Sequence, residues 1–71
     1  MGILEHEYLK TKNSFNRAFD RCMCQHAYIE LIKPLGVDTS REELELKQIS
    51  NVAKLLFRAT MIRKDRYLSN L

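Results

Sequence analysis

The sequence has few of the residues that break a chain or tie it to itself. Two glycines, Gly2 and Gly36, and one proline, Pro34, stand among 71 residues. A loop that cradles phosphate with its backbone needs glycines close together, because only they allow the approach and the turn. Nucleotide-binding loops of that kind are therefore excluded. The two cysteines, Cys22 and Cys24, are separated by one residue. On a helix they point to opposite sides and cannot close a disulfide, so reduced thiols are expected, and with them a cytoplasmic location. No apolar run approaches the roughly 20 residues of a membrane-spanning helix, so no membrane partner is expected. The opening MGILEHEY carries acid where a secretory leader carries base, and His6 stands where a myristoylation motif wants Ser or Thr. Catalytic patterns are missing too. His6 and His26 are the only histidines, with no nucleophile elbow and no paired-carboxylate pattern beside them. The expectation is a protein that is not an enzyme and takes no cofactor.

What remains is material for helix. Hydrophobic residues make up 45% of the chain and charged residues 30%, which is too apolar for intrinsic disorder and too charged for a membrane span. Residues 1–71 read as one soluble domain. A domain of this size buries only about 60% of the surface its unfolded chain exposes. Small folds make up the shortfall with disulfides, metals or partners, and partner burial is the expectation here.

Arm one, about 3–33, has Leu4, Tyr8, Phe15, Phe19, Cys22, Ile29 and Ile32 at helical spacing, with Thr11, Ala18 and His26 filling the same stripe. Asn and Ser compete with a helix for its backbone hydrogen bonds, so Asn13 and Ser14 leave open a break near Asn13. The arm ends where Pro34 disfavours helical geometry in Lys33 and Gly36 can turn left-handed. The turn, 34–40, is followed by a helix-start signal in GVDTSREELEL. Thr39 with Glu42, or Ser40 with Glu43, has the spacing of a capping box, and Asp38, Glu42 and Glu43 place acid at the favourable end of the helix dipole.

Arm two, about 41–68, carries Leu44, Ile49, Val52, Ala53, Leu56, Ala59 and Thr60 on one broad stripe. Leu55, Phe57, Met61 and Ile62 lie beside or beyond it. Such a wide apolar circumference implies contact on two sides rather than one. The expected fold is all-α, an antiparallel helical hairpin of two long helices, pairing into a homodimer like a four-helix bundle. Leu55, Phe57, Met61 and Ile62 are the expected apolar surface for a partner.

The net charge of +3 is mild, but its distribution is uneven. A hairpin gathers Lys10, Lys12, Arg17 and Arg21 near Arg58, Arg63, Lys64 and Arg66 at the open end, while Asp38, Glu42, Glu43 and Glu45 mark the turn. That basic end is the candidate contact for nucleic-acid phosphates or an acidic protein patch, with Tyr8 and Tyr67 nearby for stacking. The bland alternative is a solvated face whose cations complement the dipole of arm two. A helix-turn-helix reading of ELIKPLGVDTSREEL fits poorly, because Glu42, Glu43 and Glu45 would point acid at DNA. Cys22 and His26, four apart, could share a metal only across a dimer, since a closed zinc site wants four ligands; the simpler reading is that both are structural, with no metal bound.

The expected function is that of a small interaction module or regulator that binds another protein through the apolar and basic surface of its helices. A nucleic-acid binder using the basic end and a subunit folded only within a larger assembly are the alternatives.

Overall fold

The computed structural model describes residues 2–71. Helix α1 spans Ile3–Ile32, a single 3-10 turn spans Lys33–Leu35, and helix α2 spans Ser40–Ser69. The helices pack side by side in an antiparallel hairpin with extents of 54 × 16 × 12 Å. Arms and turn thus fall within a residue of where the periodicity and turn chemistry place them.

α1 runs without a break through Asn13. The hydroxyls of this stretch bond backward: Thr11 donates to the Glu7 carbonyl at 2.8 Å and Ser14 to the Lys10 carbonyl at 3.2 Å. Bonded this way, they leave the backbone N–H groups to the helix ladder. The helix ends as expected. Gly36 takes φ +81°, and its N–H closes the turn onto the Lys33 carbonyl at 3.1 Å.

The start of α2 differs from the capping boxes the spacing implies. Neither Thr39 with Glu42 nor Ser40 with Glu43 forms one. Asp38 Oδ1 accepts both the Ser40 N–H at 3.0 Å and the Ser40 hydroxyl at 2.7 Å, while the Thr39 hydroxyl donates to Glu43 Oε1 at 3.2 Å. An Asx turn at Asp38 takes the Ser40 N–H that the capping box assigns to Glu43. The Ser40 hydroxyl, and after it the Ser40 amide, hold the Asp38 carboxyl below its ordinary value.

The inner surface follows a seven-residue repeat. On α1 the shielded positions include Leu4, Tyr8, Thr11, Phe15, Ala18, Cys22, Gln25, Ile29 and Ile32, in alternating steps of four and three. From Thr39, just before α2, they include Thr39, Glu42, Leu46, Ile49, Ala53, Leu56, Thr60, Arg63 and Tyr67, stepping the same way. A mean period of 3.5 keeps one narrow seam of each helix against its neighbour. Cross-seam pairs give the antiparallel order. Tyr8 stacks with Tyr67 at 6.0 Å between ring centres, and Phe15 meets Phe57 at 5.5 Å. Farther along, Cys22 Sγ lies 3.8 Å from Ser50 Oγ, and Gln25 donates to the Glu42 carbonyl at 3.1 Å.

Phe19, His26, Leu44 and Val52, which a looser helical count puts on the inner stripes, lie outside the seam and are exposed. Gln25 and Leu46 take seam positions instead. The reason is width: a seam with one helical neighbour accepts two positions in seven, and a residue one step away already faces outward. The core is correspondingly thin. Ala18, Ile29, Ala53, Thr11, Thr39 and Thr60 are the buried residues, and no large side chain is fully buried among those described.

Candidate functional site

The seam leaves large side chains outside. The structure exposes 5637 Å² of surface, whereas a compact monomer of 8.4 kDa exposes about 4,600 Å² by the usual scaling. Its radius of gyration is 16.2 Å, against about 11 Å for a compact domain of this length. The two-helix layer therefore has two broad faces with nothing over them, and they differ in chemistry.

The first face is aromatic. Phe15, Phe19 and Phe57 wall a groove of about 380 Å³ whose floor is made of Cys22, Ser50 and Ala53, with Lys54 and Arg58 at its rim. Phe15 and Phe19 stand 6.0 Å apart between ring centres. The floor is low because the small side chains of Cys22, Ser50 and Ala53 meet there, and the three larger rings stand above it. Met23 and Met61, one turn beyond Phe19 and Phe57, extend the apolar strip. Phe19 and Phe57 are 49% and 50% exposed.

The second face is aliphatic and basic. Val52, Leu55 and Ile62 stand exposed on α2, and Lys10, Arg17 and Arg21 form a row along α1 at steps of seven and four. Two hollows record the adjacency: Lys10 and Ala59 share one of about 510 Å³, and Arg21 and Val52 share one of about 200 Å³.

The four residues expected to form one apolar surface are divided between these faces. At about 100° per residue, Leu55 and Ile62 lie within roughly 20° of each other on α2, and Phe57 and Met61 within roughly 40° on the far side. Leu55 and Ile62, at 63% and 59% exposed, belong to the aliphatic face; Phe57 and Met61 belong to the aromatic one.

The eight basic residues are likewise spread around the molecule. Lys12 and Lys64 stand two turns from Phe19 and Phe57 on the aromatic side, and Lys12 Nζ lies 6.0 Å from the centre of the Tyr8 ring. Lys10, Arg17, Arg21 and Arg66 lie on the aliphatic side, and Arg58 stands at the groove rim. Arg63 turns into the seam, where it donates to the Thr11 hydroxyl and to the Glu7 carbonyl. Along the long axis the charge is polarised. Residues 26–47 carry five carboxylates against three cations, and the rest of the chain carries nine cations against four carboxylates.

Cys22 is half-buried beneath the groove, whereas His26 is exposed and lies 3.5 Å from Glu30. No group of three or more His, Cys, Asp or Glu side chains that could hold a metal stands together among the described residues. No helix among them is long and apolar enough to cross a membrane.

Of the groove, sequence reasoning named Phe57 and Arg58 but missed Phe15, Phe19 and the floor as parts of a site. Phe15 and Phe19 read as ordinary stripe positions, while Ser50 and Lys54 carry no signal of their own. A strict count of steps of three and four would have separated the seam from its flanks, because only the narrow set repeats without a gap on both arms. Comparison with protein-family models, with curated proteins and with solved structures finds no match for this chain.

Proposed function

We propose that this chain is a non-catalytic interaction module: a helical hairpin that pairs with itself into a four-helix assembly and modulates another protein by binding it. The observation that carries the reading is the placement of large apolar side chains. Exposed patches of this kind on both faces of a thin layer mark surfaces that another polypeptide covers. A stable protein interface removes about 800 Å² from each partner. The excess over a compact monomer, 5637 Å² against the scaled value, is of that order. Free thiols at Cys22 and Cys24 fit the cytoplasm as the place where the module acts.

Nucleic-acid binding is the weaker reading. A footprint for phosphates gathers its cations on one face, whereas here Arg63 is engaged in the seam and the other basic residues point in several directions.

Light scattering across the micromolar range, run beside the fluorescence of a dye that brightens on apolar surface, tests the proposal. The expected outcome is concentration-dependent association, with dye binding to whatever monomer remains. A monomer that neither associates nor binds dye would sink the reading. Retention of mixed-sequence RNA or DNA at low salt, lost when Arg17, Arg21 and Arg66 are changed together to Gln, would favour the nucleic-acid reading instead.

A further inference from the structure

We propose that the aromatic groove seats a second copy of this chain, laid across it with its acidic turn over the basic open end of the first. The inference rests on the interaction-module reading and goes further by naming the face, the occupant and its direction.

The shape of the groove is the first support. Its floor of Cys22, Ser50 and Ala53 is low and its walls, Phe15, Phe19 and Phe57, are tall. Two-fold pairing sets the same surface against itself, so the projecting Phe19 of each copy meets the low floor of the other. The face measures 54 × 16 Å, enough to supply the roughly 800 Å² per partner that a stable interface needs.

The lining selects this face over the other. Three phenylalanines wall the groove, whereas the larger hollow on the aliphatic side is lined by His6, Glu7, Lys10, Ser14 and Arg63 among others. A ridge of apolar side chains fills the aromatic groove without leaving buried polar groups unpaired. Lys54 and Arg58 stand at its rim, and Lys12 and Lys64 lie farther along the same side.

Polarity selects the direction. Two-fold axes lying in the plane between stacked hairpins run either along the helices, which sets like ends together, or across them, which sets turn over open end. With five carboxylates against three cations at residues 26–47, and nine cations against four carboxylates elsewhere, only the crossing axis opposes unlike charge. Helices in stacked layers sit about 8–10 Å apart, within about one screening length at physiological salt.

The test uses the full wild-type chain. Protein grown on light nitrogen is mixed with protein grown on heavy nitrogen, treated with a short amine cross-linker, and read by mass spectrometry for links that join the two isotopes. The expected links join Lys33 or Lys47 of one copy to Lys12 or Lys64 of the other. Mixed-isotope links confined to Lys12 with Lys64 and Lys33 with Lys47 would overturn the direction. Sedimentation of variants tests the face: Phe19→Glu and Phe57→Glu weaken association at least tenfold, while Leu55→Glu and Ile62→Glu change it less than twofold, with helicity checked by circular dichroism. The reverse pattern overturns the face. A wild-type monomer that still binds the apolar dye overturns the second copy and with it the self-pairing, yet leaves standing the reading of a module that binds another protein, whereas one that binds no dye removes both.

Discussion

The seam and the flanks of this hairpin divide its large apolar side chains between them. Midway along the seam the chain places Thr11, Ala18 and Cys22 near Ala53 and Thr60, with Phe15, Ile29, Ile49 and Leu56 among the larger seam residues; where the helices face outward, it places Phe19, Leu55, Phe57 and Ile62. Hydrophobic stabilisation scales with the area removed from water at about 25 cal/mol per Å². The exposed flank side chains therefore contribute less to the hairpin than the seam residues do. Their energy is available to whatever covers them.

Substitutions can break or sharpen that contrast. The largest effect is expected from Ala53→Glu, which puts a carboxylate where an 8% exposed methyl group now sits. An unpaired charge there should cost about 3 kcal/mol or more, read as loss of the cooperative urea transition in circular dichroism. A paired change on the threonines comes next. Thr11→Val removes the hydroxyl that accepts from Arg63 and should cost about 1–2 kcal/mol, because a charged donor loses its partner. Thr60→Val removes a hydroxyl bonded only to the Leu56 carbonyl of its own helix, and a shift in its urea midpoint as large as that of Thr11→Val would show the two seam threonines to be equivalent.

A turn substitution calibrates the scale without touching seam or flank. Gly36→Ala meets nothing within 4 Å of the new methyl group, but φ +81° disfavours any side chain, so thermal unfolding should show a loss of about 1 kcal/mol. Leu55→Gln, measured at protein concentrations low enough to hold the monomer, should shift stability by less than about 0.5 kcal/mol although it alters a far larger side chain than Ala53. A loss comparable with that of Ala53→Glu would erase the contrast between seam and flank.

The smallest effect is a pH dependence. The Asp38 carboxyl is held below its ordinary value of 3.8 by the Ser40 hydroxyl and then by the Ser40 amide. Its contribution is present above the unfolded value and is lost as pH falls through the lower folded value. Urea midpoints compared between pH 7 and pH 2.5 should fall further for the wild-type chain than for Asp38→Asn. Equal falls would show that Asp38 takes no part.

The hairpin itself was legible in the sequence because its punctuation is local. Pro34 and Gly36 end one helix through their own backbone preferences, and the acid-rich restart follows directly. The seam was legible only in part, since Phe19 and Ala18 differ by one step, and a pattern tolerant of one step cannot say which of them faces a neighbour. The division of Leu55, Phe57, Met61 and Ile62 between two faces was hidden for the same reason. Closeness along the chain suggests a shared surface, whereas on a helix two residues apart means nearly opposite. The capping of α2 misled because a hydroxyl and a carboxylate at capping-box spacing do not specify which acid reaches the amide first, and Asp38 is nearer to Ser40 than either glutamate.

One feature of the interface constrains sliding. A seam built on a seven-residue repeat brings equivalent positions opposite one another again after a shift of one heptad, a displacement of about 10 Å along the axis, so the repeat alone would tolerate several alignments of the two helices. Arg63 with Thr11 and Glu7 near the open end, and Gln25 with Glu42 and Glu45 near the turn, act as two detents set far apart. A slip of one step would strand a guanidinium and an amide together, so the chain has a single resting alignment, and its outer faces keep a constant pattern of ridges and hollows for a partner to match.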